Sequence, residues 1–262
     1  MPENTVSVHS QSSWGWQSKF SALPDRIAFL LERSILSDVE FILGTTADAL
    51  TVPAHKFILA SASKRFERLF YSPSPDFSDS KPITITHVTP SAFRSVLRYI
   101  YTDKTAQMVP NDVMDTLYAA RYYELPVLIA LCEQNAMSLC RANNVLTILN
   151  KAVQYGEDNI VEWCFPIIDQ HFPVLTADAD WLQISLDTLR RILSSDGLQV
   201  KELNVYNAME RWACHACERN GITASVANKR EMLQTVFFLI RFPLMTTEEL
   251  ISCSAKTKVN II

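Results

Sequence analysis

Apolar and polar residues alternate along residues 39–43, 50–52 and 83–86, which is the spacing of strands that bury one face. A loop that holds Gly44 and Asp48 separates the first two segments. Because a short loop between two alternating segments is typical of a hairpin, these two segments are predicted to pair. The sequence therefore predicts a small sheet in the first third of the chain.

Segments with apolar residues at helical spacing lie around these strands and make up the rest of the chain. Residues 57–60 predict a short buried helix, and Thr89-Pro90 predicts a helix start, since a hydroxyl caps the helix and proline suits its first turn. That helix has apolar residues at i, i+3, i+4 and i+7, namely Phe93, Val96, Leu97 and Ile100. From Asn143 onward the pattern is helical throughout. Pro166 is expected to kink or shorten one helix, and Asn220-Gly221 to stop another. The fold class predicted is α+β, a small sheet flanked by helices and followed by an all-α domain.

Composition narrows the class of protein. The chain has 262 residues with 48% hydrophobic content, enough for one large or two modest domains. Its net charge of −4 argues against a nucleic-acid surface, because phosphate binding needs clustered Lys and Arg. No secretory signal and no run of about 18 apolar residues is found, so no membrane span is expected. Six cysteines without a framework indicate reduced thiols, and hence a cytoplasmic or alternatively nuclear protein.

Candidate chemistry is sparse. Cys214-His215-Ala216-Cys217 has the look of a metal motif, but zinc takes four ligands and no second pair accompanies it. His55 begins a helix, which favours a structural capping or core role, and His87 ends a strand. No nucleophile motif or phosphate loop accompanies either histidine. We therefore expect no catalytic site, no metal and no cofactor.

Three strings carry a resemblance to a known family. They are Ser37-Asp38-Val39, the run Ala54–Ala60 with Ala-His-Lys-x-x-Leu-Ala, and the run Phe93–Thr102 with Phe-x-x-x-Leu-x-Tyr-Ile-Tyr-Thr. In this order and spacing they resemble the BTB/POZ domain. The resemblance implies a small sheet flanked by helices that is used for dimerisation and protein recruitment.

Two later runs resemble a second module. Leu203–Trp212 and Leu239–Met245 are similar to parts of the BACK domain, and the second is close to its form in BTB–BACK–PHR adaptors. The expected organisation is an N-terminal tail (1–19), a BTB/POZ domain (20–140), a helical BACK domain (141–255) and a C-terminal tail (256–262). In that subfamily a PHR domain follows, and this sequence is expected to lack it.

The resemblance also implies a homodimer. In this family the helix before the first strand lies in the dimer interface, and here residues 25–32 are more apolar than one buried stripe requires. Asp38 and Lys56 are interpreted as a structural ion pair at the dimer seam. The candidate interface residues are Ile27, Phe29, Leu30, Leu31, Asp38 and Lys56. Trp14 and Trp16 are interpreted as packing on the domain edge or, alternatively, as further dimer contacts.

A second surface is implied by the same resemblance. Many BTB adaptors grip a cullin-3 scaffold with an apolar-x-Glu motif, and here the corresponding string is Phe77-Ser78-Asp79, whose acid is one methylene shorter. Tyr123 corresponds to a helix end that borders the cullin. The cullin-docking candidates are Phe77, Asp79 and Tyr123. The alternatives stay open that Phe77 tucks back on the core and that Tyr122 and Tyr123 are ordinary half-buried packing residues.

The expected function is therefore a dimeric adaptor that docks cullin-3 and links partners to a ubiquitin ligase. The alternative is a dimeric scaffold or corepressor-type protein that does not bind cullin. A chain without a substrate module is further expected to form mixed dimers with longer relatives and to compete with them.

Overall fold

The computed structural model describes residues 15–44, 49–72, 82–105 and 108–257. The strands are β1 (Val39–Leu43), β2 (Leu50–Ala54) and β3 (Ile83–Ile85). The helices are α1 (Leu23–Arg33), α2 (Lys56–Ala62), α3 (Lys64–Tyr71), α4 (Pro90–Thr102), α5 (Pro110–Tyr122), α6 (Pro126–Leu139), α7 (Val145–Tyr155), α8 (Asp158–Ala177), α9 (Leu186–Leu193), α10 (Glu202–Arg219), α11 (Val226–Leu233) and α12 (Thr247–Thr257). Short 3-10 helices cover Trp16–Lys19, Asp180–Gln183, Gln234–Leu239 and Phe242–Leu244. The predicted α+β class is confirmed.

The chain divides into two compact units. The first is built from residues up to Met108 together with Asp115–Cys132, and the second from Val109–Met114 together with Glu133 onward. The sheet and α1–α4 belong to the first unit, and α7–α12 belong to the second.

The sheet of the first unit has the order β2-β1-β3. β1 pairs antiparallel with β2, with Phe41 opposite Val52, and the predicted hairpin is thereby confirmed. On its other side β1 pairs parallel with β3, with Phe41 opposite Ile83. Val39 and Leu43 are buried with Phe41 while Glu40 is exposed, so the alternation in the sequence marks the buried face correctly.

Aromatic rings fill the core beneath this sheet. Phe41 lies 5.0 Å from Phe93 and 6.1 Å from Phe66 between ring centroids, and both contacts are edge-on. The offset and edge-on arrangements favoured by ring quadrupoles add to the burial of apolar area here. Phe93 comes from the stripe predicted for α4, whose members Val96 and Leu97 are also buried.

Helix α2 is less buried than the sequence predicts. Leu59 is its buried residue, whereas Phe57 is 75% exposed. The prediction of a buried helix at 57–60 is wrong in this respect, because a seven-residue helix at the surface can turn only one side inward.

Two reciprocal indole hydrogen bonds join two segments of the second unit. Trp181 Nε1 donates to the carbonyl of Ala208 at 2.9 Å, and Trp212 Nε1 donates to the carbonyl of Ile184 at 3.0 Å. Both tryptophans are buried, so each indole satisfies its polar group while filling the core. The segment 181–184 is thus fixed to α10 at two points.

Pro166 does not shorten its helix. α8 runs for 20 residues with Pro166 and Pro173 inside it, so of the two expected effects, a kink or a shortening, the shortening is wrong. Pro166 and Glu162 are exposed, so water can reach the carbonyl that proline leaves without an N–H partner. By contrast, the predicted stop at Asn220-Gly221 is confirmed, since α10 ends at Arg219 and Gly221 has φ +68°.

Candidate functional site

Helix α1 keeps its apolar side only partly covered. None of its 11 residues is buried, although it packs against α4 within the first unit. Ile27, Leu30 and Leu31 are half-buried, and Leu23 near its start is mostly exposed. A group of apolar side chains that the folded chain leaves half exposed is typical of an interface with another protein.

Phe29, the fourth apolar candidate on α1, is partly covered by its own chain. Its ring centroid lies 5.4 Å from that of Trp16 and 5.0 Å from that of Phe20, and the Arg33 guanidinium lies 5.8 Å from its ring. Trp16 is buried, in agreement with packing on the domain edge. Trp14 lies outside the described residues. The segment before α1 therefore supports this helix from one side.

Two exposed apolar residues extend this surface. Leu36 is 76% exposed and has φ 63°, a left-handed conformation that residues with a Cβ seldom adopt. Phe57, the second residue of α2, is equally exposed. The segments that hold them are tied together, because the ring of His55 bonds the carbonyl of Ile35 at 2.7 Å. We name the residues Ile27, Leu30, Leu31, Leu36 and Phe57 the α1 surface.

The predicted partners Asp38 and Lys56 are brought together by a backbone contact. The Lys56 N–H donates to Asp38 Oδ1 at 2.8 Å, at the first residue of α2. Such a bond satisfies an N–H that has no partner inside the helix, and a carboxylate also suits the positive end of the helix dipole. Asp38 thus caps α2 from the position just before β1, a role that the charge pattern alone did not indicate.

The core role expected for His55 is confirmed. It is buried, and its Nδ1 and backbone N–H both lie 2.8 Å from the Tyr101 hydroxyl. Burial is the main cause that raises the pKa of Tyr101. These bonds join the start of α2 to the end of α4.

The two central docking candidates, Phe77 and Asp79, lie outside the described residues. The segments that lead to and from them are described. α3 ends at Tyr71, which is exposed, and β3 begins at Ile83. Arg65 of α3 and His87, which follows β3, both contact Tyr122 at the end of α5.

The third candidate, Tyr123, is placed inside the first unit. It is 2% exposed, and its ring stacks on Phe66 at 4.5 Å and meets Phe93 at 5.6 Å. Its carbonyl accepts from the Ser63 hydroxyl at 2.6 Å. Burial is the main cause that raises the pKa of Tyr123. This corrects the expectation of a docking contact, because a ring packed in the core is not presented to a partner.

The neighbouring Tyr122 lies at the surface instead. The Arg65 guanidinium stands 3.7 Å from the centre of its ring, a cation–π contact, and the ring of His87 lies 3.8 Å away. Burial, and then the charge of Arg65, lower the pKa of His87, so its ring is neutral at physiological pH. We name Arg65, His87 and Tyr122 the Tyr122 cluster. A further ion pair joins Arg68 of α3 to Glu124, which lies two residues after Tyr122.

A sequence signal for this cluster existed. The stripe Val113, Leu117 and Ala120 identifies the inner side of α5, and continuing its spacing by three places Tyr123 inward and Tyr122 outward. The cation–π partner Arg65 lies 57 positions earlier in the chain and has no local signature.

The arrangement suits protein contacts. In the described ranges, no three His, Cys, Asp or Glu side chains are grouped so that they could hold a metal ion. Within the same ranges no helix has the length and apolar character that crossing a bilayer requires. The two surfaces offer aromatic and guanidinium groups, which are enriched in the centres of protein interfaces, together with aliphatic side chains.

Comparison with known proteins places both units in families. Residues 29–139 match the family model of the BTB/POZ domain, and residues 145–255 match that of BACK, described as BTB And C-terminal Kelch. The chain is similar to human BTB/POZ domain-containing protein 6, with 31% identity over 97% of this chain and 47% of that protein. It is also similar to human BTB/POZ domain-containing protein 3, with 30% identity over 93% of this chain and 46% of that protein. The chain spans about half the length of the curated relatives it matches.

Proposed function

The chain belongs to the BTB–BACK proteins, and from this membership we propose that it is a dimeric, non-enzymatic adaptor of the cytoplasm or nucleus that docks cullin-3 and links partner proteins to a ubiquitin ligase. The observation that carries the proposal is the pair of domain matches, since BTB domains mediate protein–protein interaction and dimerisation. The human relatives carry BTB/POZ in their names, which agrees with this reading.

The proposed dimer uses the α1 surface. Leu30 and Leu31 remain half-exposed although they are apolar, and Leu36 and Phe57 add two exposed side chains. A two-fold dimer buries the same patch twice, so a modest apolar surface on each chain is doubled. The same surface would admit a relative's chain, which would give mixed dimers.

The proposed cullin-docking surface combines Phe77 and Asp79 with the Tyr122 cluster. Phe77 supplies an aromatic anchor, Asp79 an acid, and Tyr122 with Arg65 a half-buried rim. Anchors of this kind dominate the binding energy when surrounding contacts, which contribute little energy themselves, exclude water from them.

The test is calorimetric titration of the purified chain with the N-terminal region of cullin-3. Phe77→Ala is expected to weaken binding by at least about 30-fold, which corresponds to about 2 kcal/mol. Phe238→Ala is the control, since it removes an exposed phenylalanine that lies in the second unit. Unchanged affinity of Phe77→Ala would overturn the docking assignment.

A second pair of variants tests the rim. Tyr122→Ala removes the half-buried ring and is expected to weaken cullin binding, while Tyr123→Phe is expected to leave it unchanged. The Tyr123 hydroxyl is buried without a hydrogen-bond partner among the described residues, so its loss removes no contact with a partner protein.

The second candidate function is a dimeric scaffold or corepressor-type protein without cullin. The observation that favours it is Asp79, because its carboxylate reaches one methylene less far than the glutamate of the resembling motif. A well-folded dimer that fails to bind cullin-3 would support this candidate. Restoration of binding by Asp79→Glu would then identify the short acid as the cause.

A further inference from the structure

Two cysteines of the second unit lie side by side. Cys140 directly follows α6, and Cys164 lies on α8, 24 positions later. Their Sγ atoms are 3.9 Å apart and share a thiol hydrogen bond. Cys140 is 2% exposed and Cys164 is fully buried. The proposed adaptor function makes no use of this pair.

The two thiols are not chemically equivalent. The hydrogen bond with the Cys164 thiol lowers the pKa of Cys140 and the neighbouring Arg141 acts in the same direction, while burial opposes them. The same hydrogen bond, together with burial, raises the pKa of Cys164. The first thiolate therefore forms on Cys140, and the thiolate is the form of cysteine that attacks disulfides.

Access to the pair is also unequal. Cys140 lies at the start of the short connection between α6 and α7, in which Arg141 and Asn143 are exposed. Cys164 lies inside α8 and faces the core. Because connections open locally at lower free energy than helix interiors, Cys140 is the thiol that an oxidant reaches first.

We propose that Cys140 and Cys164 are an oxidation site, a dithiol that low-molecular-weight disulfides such as oxidised glutathione convert into an intramolecular disulfide. Cys140 is the attacking thiol and Cys164 the resolving thiol. The disulfide would join the end of α6 to the middle of α8 within the second unit.

The reaction balances in two exchanges. The Cys140 thiolate attacks one sulfur of oxidised glutathione, its S–S bond breaks, and one glutathione thiolate leaves and takes up a proton. Cys164, on losing its proton, attacks the mixed disulfide at Cys140 Sγ and releases the second glutathione. The two cysteines together lose two protons and two electrons, and one glutathione disulfide is reduced to two glutathione thiols.

The geometry requires a small movement. A disulfide has an S–S length of about 2.05 Å, so the two sulfurs must approach by about 2 Å. Two further cysteines serve as internal comparisons. Cys253 lies 3.9 Å from the thioether of Met245, and Cys132 lies 3.9 Å from that of Met108. A thioether sulfur cannot form a disulfide. In these two contacts the sulfur atoms are therefore as close as in the Cys140–Cys164 pair, but they cannot become linked.

The experiment treats the reduced full chain with oxidised glutathione and maps the products by mass spectrometry of unreduced peptides. In the wild type we expect the peptides with Cys140 and Cys164 to be linked, with the loss of two hydrogens. In Cys164→Ala we expect one glutathionyl group to remain on Cys140. In Cys140→Ala we expect Cys164 to stay unmodified over the same time, and dithiothreitol should reverse the wild-type link.

Circular dichroism of each variant confirms that it is folded, and modification of the half-exposed Cys214 confirms that the oxidant is active. Absence of a Cys140–Cys164 link under conditions that modify Cys214 would overturn the proposal. A glutathionyl group on Cys164 rather than Cys140 would overturn the assigned order of attack. Cys253→Ala should leave the linkage unchanged.

Discussion

His87 makes the stability of the first unit depend on pH. Its ring lies against Tyr122 and near Arg65, and its pKa in the folded protein is lowered from 6.5, mainly by burial. The unfolded chain therefore binds a proton more readily than the folded one. Since stability rises with pH wherever the unfolded state binds more protons, stability is retained above pH 6.5 and falls as the pH drops below this value.

We predict that His87→Gln flattens this dependence. Urea unfolding at about pH 7.5 and about pH 5.5 should show a smaller loss of unfolding free energy in the variant than in the wild type. His171→Gln, on α8, is the control and should keep the wild-type difference. An equal loss in His87→Gln and wild type would assign the pH dependence to other groups.

Gly197 is required by a close approach. A Cβ built at this position would lie 2.2 Å from Asp169 Oδ2 and 3.0 Å from its Cγ. The Asp169 carboxyl has one oxygen buried without a hydrogen bond among the described residues, and burial raises its pKa. The two residues therefore fit together only because position 197 has no side chain.

Gly197→Ala should consequently lower the unfolding free energy by about 1 kcal/mol, as overpacking does. Asp169→Ala in the same chain removes the clashing carboxyl and should restore part of the loss. A double-mutant cycle by urea unfolding measures this coupling. Additive effects of the two substitutions would show that the clash is relieved elsewhere.

Residue roles were the part of the site that the sequence predicted least well. The motif strings marked the right segments, since Asp38 and Lys56 do meet. The nature of their contact, a carboxylate capping a backbone N–H, depends on how β1 and α2 approach each other. The choice between Tyr122 and Tyr123 likewise depends on which side of α5 faces inward, a question that one further step along the stripe would have answered.

At the scale of elements, the pair of indole hydrogen bonds fixes α10 to the segment 181–184. Trp212→Phe keeps the aromatic ring but leaves the carbonyl of Ile184 without its donor. We predict a loss of about 2 kcal/mol in unfolding free energy, because an unsatisfied buried acceptor costs more than a hydrogen bond contributes. Trp163→Phe on α8 is the control, since Trp163 is 52% exposed, and should change stability little. Equal effects in urea unfolding would contradict the role assigned to the bond.

Element positions followed well from periodicity. The hairpin of β1 and β2, the capped start of α4 and the stop after α10 rest on local signals, and each is present. The predictions that failed concern two residues that are exposed to solvent. Pro166 continues α8 because its face meets water, and Phe57 is exposed because α2 has only one side to bury.

For the whole molecule, the proposed dimer predicts that thermal stability depends on protein concentration. Dimerisation stabilises the folded chain by mass action, so the melting temperature of the wild type should rise with concentration. Leu30→Asp places a charge in the α1 surface and should remove this rise, with a monomeric mass by light scattering. Phe238→Asp, in the second unit, should behave as the wild type. A concentration-independent melting temperature in the wild type would argue against the dimer.

The two-domain organisation was visible in the sequence because alternation of period two gives way to helical spacing and because both domains carry recognisable strings. The contact between Cys140 and Cys164 was not, since it joins segments 24 positions apart through tertiary packing. Local patterns record which side of an element is buried, but not which buried side chain it meets.

The buried indoles also give the protein an optical property. An excited indole emits at longer wavelength when water can reorient around it, and Trp181 and Trp212 are held away from water with their N–H groups bonded to carbonyls. Trp163, which is exposed, supplies a contrasting signal from the same unit. Emission from Trp181 and Trp212 should therefore lie towards the blue and move to the red as soon as α10 separates from the segment 181–184. This component of the natural fluorescence, to which Trp16 of the first unit adds a separate signal, thus reports the integrity of the helical domain without any attached dye.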